Sequence, residues 1–238
     1  MYLIRSIISI IFYTSALITF IITGTLFILL STLPNRIMFA YIPFFCRLLL
    51  LSLGVIVKVN GEFPKSGQYI LMFNHGSFID PFVYAAVIKG KFTGIIAAEN
   101  YKIPIFGSML RKFRAIPIHR KNREAALKSI KKAEAVIKEE GYHMAILPEG
   151  TRTLDGKLLP FKKGGFHMAV NTNTPILPIG AVLPFKYKAK NHWHIRPCVI
   201  NVFIGDIIEP DQYPKLKIDG LLKKTEKSIK MLINQEEV

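Results

Sequence analysis

Acidic residues are scarce in this chain: 16 Asp and Glu stand against 32 Lys and Arg in 238 residues, a net charge of +16. Such an excess implies a polyanionic partner: nucleic acid, an anionic bilayer surface or phosphorylated substrates. Cysteine is nearly absent. Cys46 and Cys198 both sit among apolar residues without metal-ligand spacing, which excludes a disulfide framework and a thiolate metal centre and makes both reduced packing residues. His192-x-His194 lacks companion ligands, so no metal site is expected. Charge vanishes from Ser6 to Asn35, thirty residues without Asp, Glu, Lys, Arg or His. Internal repeats and low-complexity segments are missing too.

The uncharged stretch is dominated by Ile, Leu, Phe and Thr, and roughly 20 such residues suffice to cross a hydrocarbon core. Membrane contact follows. A cleaved signal is disfavoured because the apolar run exceeds the usual h-region and no small-residue cleavage site follows. A break at Ser31-Thr32-Leu33-Pro34-Asn35 precedes a second apolar stretch, Ile37 to Leu53, which carries Pro43 and Arg47. Arg47 would be costly at the bilayer centre, so this stretch reads as interfacial or returning. Residues 1–53 are therefore expected to form a membrane-associated helical segment, either one span or a two-helix hairpin in one leaflet. Residues 54–238 are expected to form the globular domain, on the cytoplasmic side by the positive-inside tendency. A nucleic-acid module would explain the charge but not residues 6–35, and is rejected.

Beyond Gly54 the pattern alternates. Strands are expected over 54–60, 69–73, 92–98, 115–118, 143–147, 175–183 and 196–208, and helices over 81–88, 103–114, 122–140, 166–171 and 219–234. The helix after Asn122 is the clearest. Ala126, Ile130, Ala133 and Ile137 share a face, Asn122 can cap the start, and Gly141 marks the stop. Leu222, Ile229 and Ile233 form the expected apolar stripe of the last helix. Such alternation implies an α/β fold with a mostly parallel sheet flanked by helices, and sites in such sheets form at the carboxyl ends of strands. His75, Arg120 and Glu149–Arg152 all fall just beyond expected strand ends.

The stretch Asn74-His75-Gly76-Ser77-Phe78-Ile79-Asp80 lies between a strand and a helix, with Asp80 expected as N-cap and Pro81 at the first helical position. On one helix, residues five apart would diverge by about 140°. A turn can instead fold Asp80 back onto the imidazole, fixing its tautomer and stabilising the imidazolium. His75 is thus a candidate general base. Taken alone, such a pair is better read as a turn histidine bonded to a capping aspartate, so the rest of the chain must decide.

Three further motifs accompany it: Ile116-Pro117-Ile118-His119-Arg120, Leu147-Pro148-Glu149-Gly150-Thr151-Arg152 and Thr174-Pro175-Ile176-Leu177-Pro178. In this order and spacing, with Lys102-Ile103-Pro104-Ile105-Phe106-Gly107 and Gly156 to Gly164, the chain closely resembles the bacterial 1-acyl-sn-glycerol-3-phosphate (lysophosphatidic acid) acyltransferases from about Gly54 to Leu183. It departs from them at Gly76, where many members carry Gln or Arg, and at His119, where they carry an acidic or aromatic residue.

The resemblance implies transfer of a fatty acyl group from a thioester to the 2-hydroxyl of lysophosphatidic acid, giving phosphatidic acid. His75 would be the base and Asp80 its orienting carboxylate. Arg120 and Arg152 would grip the acceptor's phosphate, since guanidinium binds phosphate in a fork. Lys102 would be a further phosphate contact, and Asn74, Gly150 and Thr151 would shape the substrate site. Glu149 would accept from the acceptor or hold Arg152. No cofactor is implied beyond acyl-CoA or acyl-carrier protein as co-substrate. The implied location is the inner membrane, with the catalytic domain facing the cytoplasm. Basic faces on the Asn122–Glu140 helix and around Lys186, Lys188 and Lys190 fit either anionic lipid and carrier phosphates or a plain solvated surface. The alternatives are another acceptor (glycerol-3-phosphate, a lysophospholipid or a lyso-ornithine lipid) or a non-catalytic lipid-binding protein at the membrane.

Overall fold

The computed structural model describes residues 2–32, 34–120, 122–182, 187 and 193–234. Lys186, Lys188, Lys190 and His192 lie outside the described residues. Seven strands form one sheet: β1 (Val55–Asn60), β2 (Ile70–Phe73), β3 (Phe92–Ala97), β4 (Ile116–Ile118), β5 (His143–Ile146), β6 (Ile176–Val182) and β7 (Cys198–Ile204). Their order is β1-β7-β6-β2-β5-β3-β4. Every pair is parallel except β6 with β7, so the expected mostly parallel α/β sheet is what the chain forms.

β2 is the centre of this sheet. All four of its residues are wholly buried, as a central parallel strand covered on both faces must be. Alternation along the strands separates the faces. Met72 and Ile146 lie against Gly165 of α6 (Gly164–Thr172), while Phe73 turns the other way and stacks on Tyr84 of α3 (Asp80–Ala85) with ring centroids 3.9 Å apart. The first face carries α5 (Arg123–Glu140), α6 and α7 (Tyr213–Ile233), and the second carries α3, α4 (Phe106–Lys112) and the two amino-terminal helices. At Gly180 on β6 a Cβ would sit 2.7 Å from the Cβ of Leu232, so only glycine lets α7 approach this closely.

The amino-terminal helices are α1 (Tyr2–Leu30) and α2 (Asn35–Ser52), joined by a short turn. The α1 helix is the one described helix long and apolar enough to cross a membrane. It does not stand away from the sheet. The Ser9 hydroxyl accepts the Ile195 N–H at 3.1 Å, the Tyr13 hydroxyl donates to the Trp193 carbonyl at 2.8 Å, and Gly24 packs against Ile105 and Met109 of the α4 region. Phe27 of α1 and Phe39, Ile42, Phe45 and Leu50 of α2 belong to the same buried cluster as β2 and β5. Much of the outer side is apolar, with Ile4, Ile11, Ile18, Ile22 and Leu29 of α1 and Phe44 and Leu51 of α2 exposed, alongside the exposed Arg5 and Arg47.

Several local expectations are corrected. Asp80 is the first helical residue rather than the cap. The cap position falls on Ile79 with no side-chain bond, because the Asp80 carboxylate turns back toward the preceding loop. The helix expected over 103–114 is shortened to α4, since Ile105 takes φ 63 just before it, and a 3-10 helix at Ala98–Lys102 precedes that break. The last helix begins earlier, at Tyr213, and bends at Lys217. Its buried stripe is Leu221, Thr225, Ile229 and Leu232, with Leu222 and Ile233 at the edge. The α5 signals act as expected: the Asn122 Oδ1 accepts the Ala125 N–H at 3.0 Å, and Gly141 takes the left-handed conformation that ends the helix.

Candidate active site

The chain leaves β2 at Phe73 and turns through residues 74–79 before α3 begins. In this turn the Asp80 Oδ2 meets His75 Nδ1 at 2.7 Å and accepts the N–H groups of Gly76 and Ser77, each at 2.9 Å. Three donors converge on one buried oxygen. Burial pushes the Asp80 carboxyl up, and the bonds from His75, Ser77 and Gly76 act against that rise. With Nδ1 held by the carboxylate, the other ring nitrogen is the one left for chemistry. The His75 side chain keeps 13% exposure while Asp80 has none, the arrangement of a base presented to a cavity with its partner hidden behind it.

β5 runs beside β2, so the loop after β5 lies beside the loop after β2. Glu149 from that loop grips the main chain of His75. Its Oε1 accepts the His75 N–H at 2.5 Å and its Oε2 accepts the Leu159 N–H at 2.8 Å. Burial raises the Glu149 carboxyl, and the two amide bonds oppose it. No ion pair joins Glu149 to Arg152 among the described residues, so the expected Glu149–Arg152 link is replaced by two backbone bonds. The His75 carbonyl in turn accepts the Thr153 N–H at 3.1 Å. Gly150 reverses the chain at φ 68, a left-handed conformation that favours glycine.

Asn74, expected to touch substrate, has its amide engaged elsewhere. Its Nδ2 donates to the Ala181 carbonyl at 2.9 Å and its Oδ1 accepts the Ala181 N–H at 2.8 Å, tying the end of β2 to β6. The Tyr84 hydroxyl donates to the Asn74 carbonyl at 2.6 Å from beneath. The expected cations are more distant. Arg120 is exposed after β4, three strands from β2, or roughly 14 Å at the usual strand spacing. Lys102 is exposed at the end of the 3-10 helix after β3, Thr151 is exposed, and the half-buried Arg152 precedes the Thr153 that bonds His75.

Two cavities flank the pair, and sequence reasoning found neither. One, of about 590 Å³, is lined by Asn74, His75, Glu149, Thr153, Lys157 and Ala181 among others, and the end of α7 closes it with Ile233 and Asn234. The second, of about 820 Å³, is almost wholly apolar and lies on the opposite face of the sheet. It runs between Phe27, Phe45, Phe82, Phe106 and Phe113, and reaches Phe73 and Leu147, the residues just before the Asn74-His75 and Pro148-Glu149 turns. Its walls come from four helices and three strands, an assembly that no local sequence signal could announce. A histidine–carboxylate pair on a polar cavity, with an apolar cavity across the sheet, is an arrangement suited to handling a molecule with one polar and one long apolar part.

Comparison with known proteins agrees. The Acyltransferase family signature matches residues 55–182, more than half of the chain, and the chain belongs to that family. It is 32% identical over 173 residues to a 1-acyl-sn-glycerol-3-phosphate acyltransferase of Limnanthes douglasii, covering 71% of this chain and 60% of that protein. It is 25% identical over 183 residues to the enzyme of that name from Borreliella burgdorferi, covering 73% of this chain and 70% of that one. The fold matches the crystal structure of the 1-acyl-sn-glycerophosphate (LPA) acyltransferase PlsC from Thermotoga maritima at a TM-score of 0.87, with 23% identity and 100% and 98% of the two chains covered.

Proposed function

We propose that this chain is a 1-acylglycerol-3-phosphate O-acyltransferase that converts lysophosphatidic acid and an acyl thioester into phosphatidic acid and a free thiol. The observation that carries it is the His75–Asp80 pair set between the apolar cavity and the polar one. The names of the plant and Borreliella relatives supply the acceptor. His75 takes the proton of the acceptor's 2-hydroxyl as that oxygen attacks the thioester carbonyl, and the imidazolium is stabilised by Asp80. The tetrahedral intermediate collapses by breaking the C–S bond, and the departing thiolate takes the proton from His75. Gly76 and Ser77 already give their N–H groups to Asp80, so the oxyanion is stabilised by other donors. The acyl chain lies in the apolar cavity. Arg152, Arg120 and Lys102, from the loops after β5, β4 and β3, hold the acceptor's phosphate, while Asn74 and Glu149 position the base.

No cofactor enters, and acyl-CoA or acyl-carrier protein is the donor. The α1–α2 pair lies along the domain with its outer apolar side free, which supports a hairpin seated in one leaflet of the inner membrane on the cytoplasmic side, where the acceptor is. The test is acyl transfer by purified detergent-solubilised protein to lysophosphatidic acid, with glycerol-3-phosphate, lysophospholipids and a lyso-ornithine lipid in parallel. Turnover of lysophosphatidic acid no better than of the others would sink this assignment.

A further inference from the structure

Lys157 is the one cation among the described residues that line the polar cavity. Of those described residues His75, Glu149 and Lys157 ionise, and both Glu149 oxygens are taken by backbone N–H groups. Lys157 is exposed and forms no ion pair among the described residues. Its loop is fixed to the base at both ends. Thr153 donates its N–H to the His75 carbonyl, and Leu159 donates to the same Glu149 carboxylate that accepts the His75 N–H. Between these anchors the Asp155 Oδ1 accepts the Thr153 hydroxyl at 2.9 Å and the Lys157 N–H at 3.0 Å, a closed turn that sets the direction of residue 157. The loop therefore places Lys157 on the wall of the cavity that His75 also lines, with its backbone keyed to the His75 peptide.

The cavity also lies on a particular side. It is bounded by Ala181 and Val182 of β6 and the end of α7, whereas Lys102 and Arg120 lie the other way, beyond β5. Cations thus flank the base on two sides, and the reaction brings two phosphate-bearing reactants. If the acceptor's phosphate takes the β3–β4 side, the β6–α7 side is left for the donor. An acyl thioester is a hydrocarbon chain joined through sulfur to a polar amide arm, and the polar cavity lined by His75 and the apolar cavity that reaches Phe73 offer that same polarity on either side of the end of β2.

We infer that the polar cavity takes the phosphopantetheine arm common to acyl-CoA and acyl-carrier protein, with Lys157 against its phosphate. The inference rests on the acyl transfer proposed above and adds no step to it. Lys157 contacts the donor, leaves the proton path unchanged and fixes where the thioester carbonyl stops beside His75.

The test is steady-state kinetics of the full chain in detergent, with both donors varied at saturating lysophosphatidic acid and the acceptor varied at saturating donor. Lys157→Ala should raise the KM for acyl-CoA and for acyl-carrier protein alike by about tenfold, the low end for a charge-assisted bond at a solvated site. Lys157→Glu should raise it further, Lys157→Arg should restore it, and the acceptor KM should stay within about twofold. A short acyl-N-acetylcysteamine thioester, which has no phosphate, should be used equally by wild type and Lys157→Ala. A rise confined to one donor, a rise in the acceptor KM instead, an unchanged donor KM, or a deficit on the phosphate-free thioester would each overturn the inference. Calorimetric titration with 4′-phosphopantetheine gives a reading independent of turnover: binding by wild type that Lys157→Ala weakens supports the site, and no binding by wild type removes it. Wild-type failure to acylate lysophosphatidic acid would count against the proposed function alone, since the titration still judges the cavity.

Discussion

Glu149 holds His75 by its peptide and not by its ring: the Oε1 accepts the His75 N–H at 2.5 Å, and the Oε2 takes Leu159 on the facing loop. One buried carboxylate thereby fixes the His75 peptide at the end of β2 and ties the facing loop to it. Glu149→Gln keeps one acceptor oxygen and turns an NH₂ on the other amide. A buried donor left unmet costs about 1–3 kcal/mol. The expected outcome is a lower melting temperature together with a fall in kcat of roughly tenfold or more, read by calorimetry and steady-state assay on one preparation.

His75→Ala should keep the fold, because the imidazole is held by a single bond at the cavity edge, and should lower kcat by about 10²–10⁴-fold. Asp80→Asn places a neutral oxygen where three donors converge. Structure should persist while the imidazolium loses its counter-charge, so a kcat loss of about 10²-fold or more is expected with circular dichroism unchanged. Full activity in either variant would remove the pair from the chemistry.

The apolar cavity sets a length limit. Ala85 lines it from α3, and Ala85→Phe should shift donor preference toward shorter acyl chains with little change in acceptor KM. A donor panel graded by chain length reads this directly.

At the far end of the sheet His143 accepts the Tyr69 N–H through Nδ1 at 3.1 Å, and burial lowers its pKa from 6.5 to about 4. The folded pKa lies below the unfolded one. Between those values the unfolded chain binds a proton that the fold refuses, so this contribution is whole above pH 6.5 and is lost as pH falls toward 4. It amounts to roughly 3 kcal/mol at most. Melting temperature should drop over that window, and His143→Asn, which keeps an acceptor but does not titrate, should flatten the drop.

Much of this arrangement was legible in the residues. β2, the Asn122 cap, the Gly141 stop and the turn folding Asp80 onto His75 all rest on interactions within a few positions, and such interactions follow from spacing. What escaped depends on neighbours in space. The carboxylate of Asp80 abandoned the cap position because three donors behind it outweighed the amides ahead. Glu149 turned to a backbone 74 positions away, so its nearest cation in sequence was a poor guide. Arg120 and His75 both follow strands, yet the strand order separates them by three places, and order is decided by packing. Along α7 Ile229 is buried as expected, while Leu221 and Leu232 take the buried places expected of Leu222 and Ile233, and Gly180 receives both Leu232 and Ile233.

Phe27, Ile42, Phe45 and Cys46, from the first two helices, are walls of the apolar cavity as well as parts of the core. A shortened version made by deleting those helices, the usual route to a crystallisable peripheral protein, would open the hydrocarbon chamber along one side and strip the cover from α3 and α4. The helix pair and the apolar cavity cannot be engineered apart. Tolerance to detergent, lipid thickness and acyl chain length should therefore vary together across substitutions in residues 20–50.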